Sequence, residues 1–386
     1  MLSIIKEGKA VLKVPTGEKI SSSLAVFYNP VMKFNRDISV LLLQCLGRKN
    51  LSFADILSAS GARGIRLALE LKKGIIGTMV LNDQSKKAFG NIRQNLSLNG
   101  LGKDRRIAVK NMDANELLQD SSGFDVIDID PFGSPNFFLW NSLKKIKRNG
   151  ILAVTATDTG ALAGAFPEAG IRKYWAIPLK NEFMHETGLR ILARKVQLVA
   201  SQLDRAAVPI LSFYRDHYYR IIFRIEHGAR KADKAMRGYK CILYCRNCTS
   251  RWVINEMSPA KTGNIGKDSK CCKDPKFEKA GPMWCNAMGD PGLADKMAAK
   301  SANEKDRKFL SVLASEYKSG IVGFYDIHRI CKISHLEIPR KEDLRNALIK
   351  QGNQSVATHV SGTAIKTDAS LHSIIRTIRS LNRKKK

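Results

Sequence analysis

Asp55-Ile56-Leu57-Ser58-Ala59-Ser60-Gly61-Ala62-Arg63-Gly64-Ile65-Arg66 decides the fold. An apolar run with an acid gives way to small residues and then to a helical pattern, so the stretch reads as strand, tight turn and helix start. Ser60, Gly61 and Gly64 let a backbone approach a ligand closely, and the helix N-terminus favours a carboxylate. One glycine turn that is not G-x-G-x-x-G says little alone. Its surroundings say more. Short apolar strands recur at Ser52–Leu57, Gly77–Asn82, Ile107–Lys110, Asp125–Asp128 and Ile151–Thr155, with helical segments such as Gln84–Asn99 between them. That alternation predicts an α/β fold built on a doubly wound parallel sheet. Strands over Ile210–Tyr214 and Arg220–Ile225 are expected to complete it, the second a candidate for antiparallel pairing.

Acids close the predicted strands. Asp83 ends the second and is placed to hold both ribose hydroxyls of a nucleoside. Asp113, before Ala114, ends the third and is placed to accept from an adenine amine. Three acids and a glycine turn at successive strand ends describe an S-adenosylmethionine pocket. A nicotinamide dinucleotide would want a glycine-rich pyrophosphate loop, which bulky Arg63 and Arg66 fit poorly.

The fourth strand runs into Asp128-Ile129-Asp130-Pro131-Phe132-Gly133-Ser134-Pro135, where Pro131 and Gly133 stop it abruptly. Asp130, the Pro131 carbonyl and the Phe132 ring are thus presented together at a strand's carboxyl end, where open α/β sheets bind ligands. The trio suits a planar heterocycle with an exocyclic amine: two acceptors for the amine hydrogens and a ring to stack on.

Charge points to the partner. The 386 residues carry 65 Lys+Arg against 35 Asp+Glu, a formal net charge of +30. An excess of this size implies a polyanion, and counterion release makes such binding salt-dependent. Nucleic acid is expected rather than an anionic membrane, since no strongly amphipathic basic segment is present. No run of about 18 apolar residues occurs, so no membrane-spanning helix is expected. Met1-Leu2-Ser3-Ile4-Ile5-Lys6-Glu7 lacks a signal-peptide layout and reads as cytoplasmic. Nothing implies an obligate protein partner.

The chain divides by composition into residues 1–230, an N-terminal segment plus the sheet domain; 231–290, a linker and cysteine-rich insertion; and 291–386, a C-terminal α+β unit. Ala10-Val11-Leu12-Lys13-Val14 alternates as a strand, and Met32–Leu46 reads as a helix. In the last part, 293–318, Gly323–Ile330 and Arg340–Gln351 look helical, Thr358–Lys366 looks like a strand or hairpin, and Leu381-Asn382-Arg383-Lys384-Lys385-Lys386 reads as a charged, frayed end.

Several separated blocks resemble the tRNA guanine-26 N2-dimethyltransferases of archaea and eukaryotes. They are Phe27-Tyr28-Asn29-Pro30, Asn35-Arg36-Asp37, Ser60–Arg66, Asp130–Pro135, Thr155-Ala156-Thr157-Asp158, His185-Glu186-Thr187-Gly188-Leu189-Arg190 and Gly281-Pro282-Met283-Trp284. They span about residues 7 to 285 in matching order, and the C-terminal third is similar only in length and general character. The resemblance implies a Rossmann-like class I S-adenosylmethionine-dependent methyltransferase domain and a C-terminal domain that helps bind tRNA. It implies two methyl transfers to N2 of guanosine 26. Carried over by position, Arg36, Arg66, Asp83, Asp113 and Ala114 match donor-site residues, Asp130 the catalytic acid, and Phe27 and Phe132 aromatic positions of the base pocket. His185 has no needed catalytic role and reads as structural.

Cys245-Arg246-Asn247-Cys248 is a CxxC knuckle, half of a zinc site. Relatives often carry a second CxxC before the Gly-Pro-x-Trp block, but here the segment reads Ser269-Lys270-Cys271-Cys272. Structural zinc is expected on Cys245, Cys248, Cys271 and Cys272, or with Cys285 replacing one of the adjacent pair. The alternative is a degenerate site of free thiols. Two other functions stay open: an adenine N6 or cytosine N4 methyltransferase, and a noncatalytic RNA-binding protein on a methyltransferase scaffold. Phe132-Gly133 argues against the first, and intact Asp83, Asp113, Asp130 and Phe132 against the second.

Overall fold

The computed structural model describes residues 2–15, 26–255 and 271–383. Ser269, Lys270 and the Lys384-Lys385-Lys386 end lie outside the described residues. The chain opens with an antiparallel hairpin, β1 (Leu2–Glu7) and β2 (Ala10–Pro15), in which Ala10, Leu12 and Val14 are buried as their alternation demands. Helix α1 (Lys33–Cys45) leads into the repeat β3 (Leu51–Asp55), α2 (Ala62–Glu70), β4 (Ile76–Asn82), α3 (Lys86–Leu98), β5 (Ile107–Lys110), α4 (Ala114–Asp120), β6 (Phe124–Ile129), α5 (Asn136–Lys145) and β7 (Ile146–Ala156). Short helices α6 (Thr159–Leu162) and α7 (Pro167–Tyr174) precede the long α8 (Met184–Ser201) and the hairpin β8 (Arg205–Arg215) and β9 (Tyr218–His227).

The central sheet has the order β5-β4-β3-β6-β7-β9-β8. Strands β3 to β7 pair in parallel, β9 runs antiparallel to β7, and β8 lies beyond it. Helices cover the sheet, so inner strands such as β6 are buried on both faces rather than alternating, Asp128 included. The order reverses between β3 and β6, whose carboxyl ends therefore flank the crevice where such sheets bind ligands. Gly64 is needed for packing: a Cβ there would collide with Leu81 and Met79 on β4, so only glycine lets α2 lie this close.

Helix α9 (Ala229–Met236) leads to a three-stranded sheet of β10 (Tyr239–Cys245), β11 (Arg251–Asn255) and β12 (Phe277–Trp284), with β10 central. The helical segment expected over 293–318 is two helices, α10 (Pro291–Lys300) and α11 (Glu304–Ser319). The break has a local cause, because the Asn303 side chain accepts from the amides of Lys305 and Asp306 and caps α11. Gly323–Ile330 is not helical throughout: β13 (Tyr325–Asp326) forms first, and Asp326 caps α12 (Ile327–Ser334). After α13 (Lys341–Lys350), β14 (Ser355–Ala357) and β15 (Ala364–Thr367) complete a small sheet, so only the end of the Thr358–Lys366 stretch is strand. Helix α14 (Leu371–Arg383) covers it and takes in Leu381–Arg383, expected from the sequence to fray; Asn382 Nδ2 donates to the Glu337 carbonyl at 3.0 Å there. No helix among the described residues is long and apolar enough to cross a membrane.

One apolar core runs from the N-terminal hairpin through the central sheet to Leu310, Leu313, Tyr317 and Phe324, and a second gathers Tyr325, Ile330, Leu344, Leu348, Ile374 and Ile378. Helix α11 is anchored to the sheet domain, with Phe309 edge-on to Phe34 at 5.0 Å and Tyr317 Oη donating to the Ser212 carbonyl at 2.6 Å. The second core is tied on by buried charge. Glu186 of α8 accepts from Arg190 Nε (2.9 Å), the Gly323 amide (2.9 Å) and Lys366 Nζ of β15 (2.5 Å). Burial alone would raise its carboxyl pKa, but the Lys366 and Arg190 charges outweigh burial and hold it at about 2.

Removing one partner of such a buried pair strands the other, so Glu186→Ala is expected to lower stability by about 3–5 kcal/mol. A depressed carboxyl pKa stabilises above the unfolded value and ceases to do so as pH falls through the folded one. Urea unfolding should therefore show a gap between wild type and variant that is full above about 4.5 and narrows toward about 2.

Candidate active site

Strand β6 ends at Ile129, and the chain turns away through Asp130-Pro131-Phe132-Gly133. Gly133 adopts φ +83°, in the left-handed region that favours glycine. The turn is pinned to the segment after β7: the Gly133 amide donates to Thr157 Oγ1 at 2.7 Å, and the Thr157 amide to the Gly133 carbonyl at 2.9 Å. Tyr174 Oη lies 3.0 Å from Ser134 Oγ and donates to Asp158 at 2.6 Å. The Thr155–Asp158 block thus acts as a fastener for the acidic turn.

Asp130 stands on a wall common to two cavities. The smaller, about 50 Å³, lies against the β3–α2 turn and is lined by Arg36, Asp55, Ser58, Ala59, Ser60 and Arg63. The larger, about 350 Å³, is bounded by Pro131, Phe132, Val31, Thr157, His217 and Tyr218. Phe27, Asn29, Met32 and Asp130 line both. The Phe27 and Phe132 rings meet edge to face with centroids 4.1 Å apart, so both aromatic positions inferred for a base pocket are brought together. His217 and Tyr218 come from the β8–β9 turn, and the run His217-Tyr218-Tyr219 was the only hint of them in the sequence.

The carboxylates at this wall are held by buried guanidiniums. Arg63 pairs with Asp130 through Nη2, donates from Nη1 to Ser39 Oγ (2.8 Å) and Asn35 Oδ1 (3.1 Å), and brings Nε to 3.5 Å from Asp128. Arg220 of β9 grips Asp128 with two hydrogen bonds of 3.0 and 2.5 Å and reaches Thr155 Oγ1 at 2.8 Å. Asp55, the third acid, is buried, and its Oδ1 has no hydrogen-bond partner among the described residues. Burial pushes its carboxyl up to about 7; Arg63 opposes the shift, and Asp128 and Asp130 reinforce it. Sequence reasoning noticed Arg63 only for its bulk and missed Asp55 and Arg220 as members of this cluster.

The remaining donor-site candidates spread along the strand ends. Asp83 accepts from the Ala59 and Ser85 amides, each at 2.9 Å, and burial raises its carboxyl pKa. Asp113 caps α4, accepting at Oδ1 from the Asn115 amide at 2.7 Å, with Ala114 buried behind it. Gly61 caps α2 with φ +75°. Arg36 lines the smaller cavity and is fixed by Glu7 (2.7 and 2.5 Å) and the Asn29 carbonyl (3.1 Å). Arg66, like Gly61, Asp83, Asp113 and Ala114, is not in that lining, and its guanidinium meets Glu7 (3.0 Å), Asp37 (2.6 Å) and Glu70 (2.7 Å). Glu7, unremarked in the sequence, thus joins both arginines and accepts from Tyr28 Oη at 2.7 Å.

Away from this site, the sulfurs of Cys245, Cys248, Cys271 and Cys272 lie within 4.8 Å of one another. Cys245 and Cys272 are 3.8 Å apart, and Cys271 and Cys272 3.9 Å. A tetrahedral thiolate site with Zn–S near 2.3 Å has S···S edges of about 3.8 Å, so the four fit structural zinc. The adjacent cysteines supply two vertices despite the broken spacing, and Cys285 is not part of the set.

The family model for N2,N2-dimethylguanosine tRNA methyltransferases matches residues 8–379, carrying the likeness through the C-terminal third. A tRNA (guanine(26)-N(2))-dimethyltransferase of Methanobrevibacter smithii is 36% identical, covering 99% of this chain and 98% of that protein. A tRNA (guanine(26)-N(2)/guanine(27)-N(2))-dimethyltransferase of Aquifex aeolicus is also 36% identical, covering 98% and 96%. The solved structure of Trm1 from Pyrococcus horikoshii with S-adenosyl-L-methionine superposes with a TM-score of 0.85 at 34% identity, covering 98% of this chain and 100% of that one. Matched by the family model over residues 8–379 and by such relatives over nearly its whole length, the chain belongs to the N2,N2-dimethylguanosine tRNA methyltransferase family.

Proposed function

We propose that this protein transfers two methyl groups in succession from S-adenosylmethionine to the exocyclic N2 of guanosine 26 in tRNA, with Asp130 as the catalytic carboxylate. The observation that carries the reading is the position of Asp130 on the wall shared by the two cavities, where a donor on one side and a base on the other would meet. The guanine-specific names of the relatives do not favour an adenine, cytosine or noncatalytic role.

The donor supplies an electrophilic sulfonium methyl when bound. The Asp55 Oδ1 in this lining, without a hydrogen-bond partner among the described residues, is free to take a polar group of the donor. Ser60, Gly61 and Arg36 form its cradle on the turn side, Asp83 serves the ribose, and Asp113 and Ala114 serve the adenine. Arg66 acts through Glu7, which it shares with Arg36. The guanine amine is a poor nucleophile because its lone pair is delocalised into the ring. With Oδ2 of Asp130 on Arg63, Oδ1 is left to accept an amine hydrogen, the Pro131 carbonyl takes the other, and Phe27 and Phe132 hold the ring. Alignment and fixed dipoles supply most of the rate. Flipping the base out of the tRNA body costs about a few kcal/mol, which the +30 charge helps offset. Residues 231–290 hold the zinc, and residues 291–386 help hold the tRNA.

Incubation with S-adenosylmethionine and a tRNA transcript bearing guanosine 26, followed by nucleoside mass spectrometry, should yield dimethylguanosine. A transcript with adenosine at that position should yield none. Asp130→Ala should cut the rate by about 10²-fold or more while still binding tRNA; near-normal activity in this variant would remove Asp130 from the chemistry. Elemental analysis should find zinc in the wild type and none in Cys248→Ser. Chelation should lower the melting temperature, and a metal-free wild type of undiminished stability would discard the zinc assignment.

A further inference from the structure

Helix α5 has an outward face that the proposed chemistry does not use. Leu139, Ser142 and Leu143 turn inward and are buried, while Phe137, Trp140 and Lys144, at helical spacing, turn to solvent. Phe137 is 81% exposed and Trp140 44%. Rings this open contribute little to a core, and clustered on one face they mark an interaction surface.

The position of that face identifies what it meets. The helix begins directly after the acidic turn, whose Phe132 lines the larger cavity and is itself 48% exposed. Asn136 Nδ2 donates to the Lys173 carbonyl at 2.8 Å, which sets the basic end of α7, with exposed Arg172, beside the start of α5. Just past the other end of the helix, Lys147 of β7 is paired with Asp125 at 3.1 Å. Exposed rings on the helix that follows the cavity's acidic turn, with Lys144 farther along the same face and Arg172 beside the helix start, match unstacked RNA: bases stack on rings and phosphates meet cationic groups. A protein partner would call for a broader apolar patch without the cations.

We propose that the outward face of α5 (Phe137, Trp140 and Lys144) is the platform for the RNA strand flanking the extruded guanosine. Flipping one nucleotide uncovers faces of its neighbours, and Phe137 and Trp140 cover one of them while Lys144 takes a backbone phosphate. This inference rests on the tRNA methyltransferase reading and adds to it the surface that stabilises the flipped state.

The test uses the full chain with Phe137→Ala, Trp140→Ala and Lys144→Ala, and with Phe137→Tyr and Trp140→Phe as conservative controls. Binding of tRNA followed by fluorescence anisotropy should weaken about tenfold in each alanine ring variant and recover in the conservative ones. Lys144→Ala should reduce the slope of log affinity against log salt by about 1. Melting temperature and S-adenosylmethionine binding should not change. A 2-aminopurine placed beside position 26 should be quenched by wild type and less so by Phe137→Ala. Wild-type tRNA affinity in both alanine ring variants would overturn the proposal. So would self-association of the wild type that these variants abolish with tRNA affinity intact, which would make the face a contact between copies. If the wild type methylates guanosine 26 while the ring variants behave normally, only this inference fails; a wild type that methylates no tRNA sinks the functional reading beneath it.

Discussion

The buried pairing of Arg63 with Asp130 and Asp128 is the constraint on which the rest of the site depends. Arg63 enters from α2, the acids from β6, and Asn35 and Ser39 of α1 complete its hydrogen bonds. Arg220 then holds Asp128 from β9, a strand on the far side of β7. Four elements distant in sequence are thus locked at the one place where the strand order reverses. Charge cannot be left uncompensated at such depth, since removing one member of a buried pair strands its partner. Three acids face two guanidiniums there, and burial resolves the imbalance by favouring the protonated form of Asp55.

A second buried group extends this order outward. Glu7, at the end of the N-terminal hairpin, holds Arg36 and Arg66, with Tyr28 bonded to the same carboxylate. Burial favours the protonated carboxyl, yet the Arg36, Tyr28 and Arg66 contacts prevail and bring its pKa to about 2. Segments that precede the sheet domain therefore close one side of the smaller cavity, and Phe27 reaches across to meet Phe132. The cavity wall is assembled from the chain's first residues and from the sheet's middle. Neither alone would shape it.

What was legible in the sequence is what local chemistry writes there. Five parallel strands follow from apolar runs bounded by turn residues, and the acidic turn announces itself through Pro131 and Gly133. The Cys245–Cys248 spacing pointed to half of a four-cysteine cluster, although the adjacent pair obscured the other half. What stayed hidden depends on tertiary neighbours. Nothing near Glu186 says that its charge will be met by Lys366, 180 positions later. His217 and Tyr218 line the larger cavity only because β9 pairs with β7. The break between α10 and α11 was readable, for Asn303 is a capping residue, but the helical pattern on either side masked it.

The same geometry bears on why the proposed reaction would stop at two methyl groups. A guanidinium fixed on Oδ2 orients the Asp130 carboxylate so that Oδ1 faces the amine. As the new carbon–nitrogen bond forms and the sulfonium carbon–sulfur bond breaks to leave a thioether, the amine proton becomes acidic and would pass to Oδ1 and on to solvent. The primary amine offers two hydrogens, one for Asp130 and one for the Pro131 carbonyl. After the first transfer one hydrogen remains, so Asp130 can align the nitrogen again, and a cavity of about 350 Å³ leaves space for the methyl already present. After the second no N–H is left. Oδ1 of Asp130 then faces two methyl groups without a donor from the base, an acceptor left unsatisfied, and such an arrangement disfavours retention of the product.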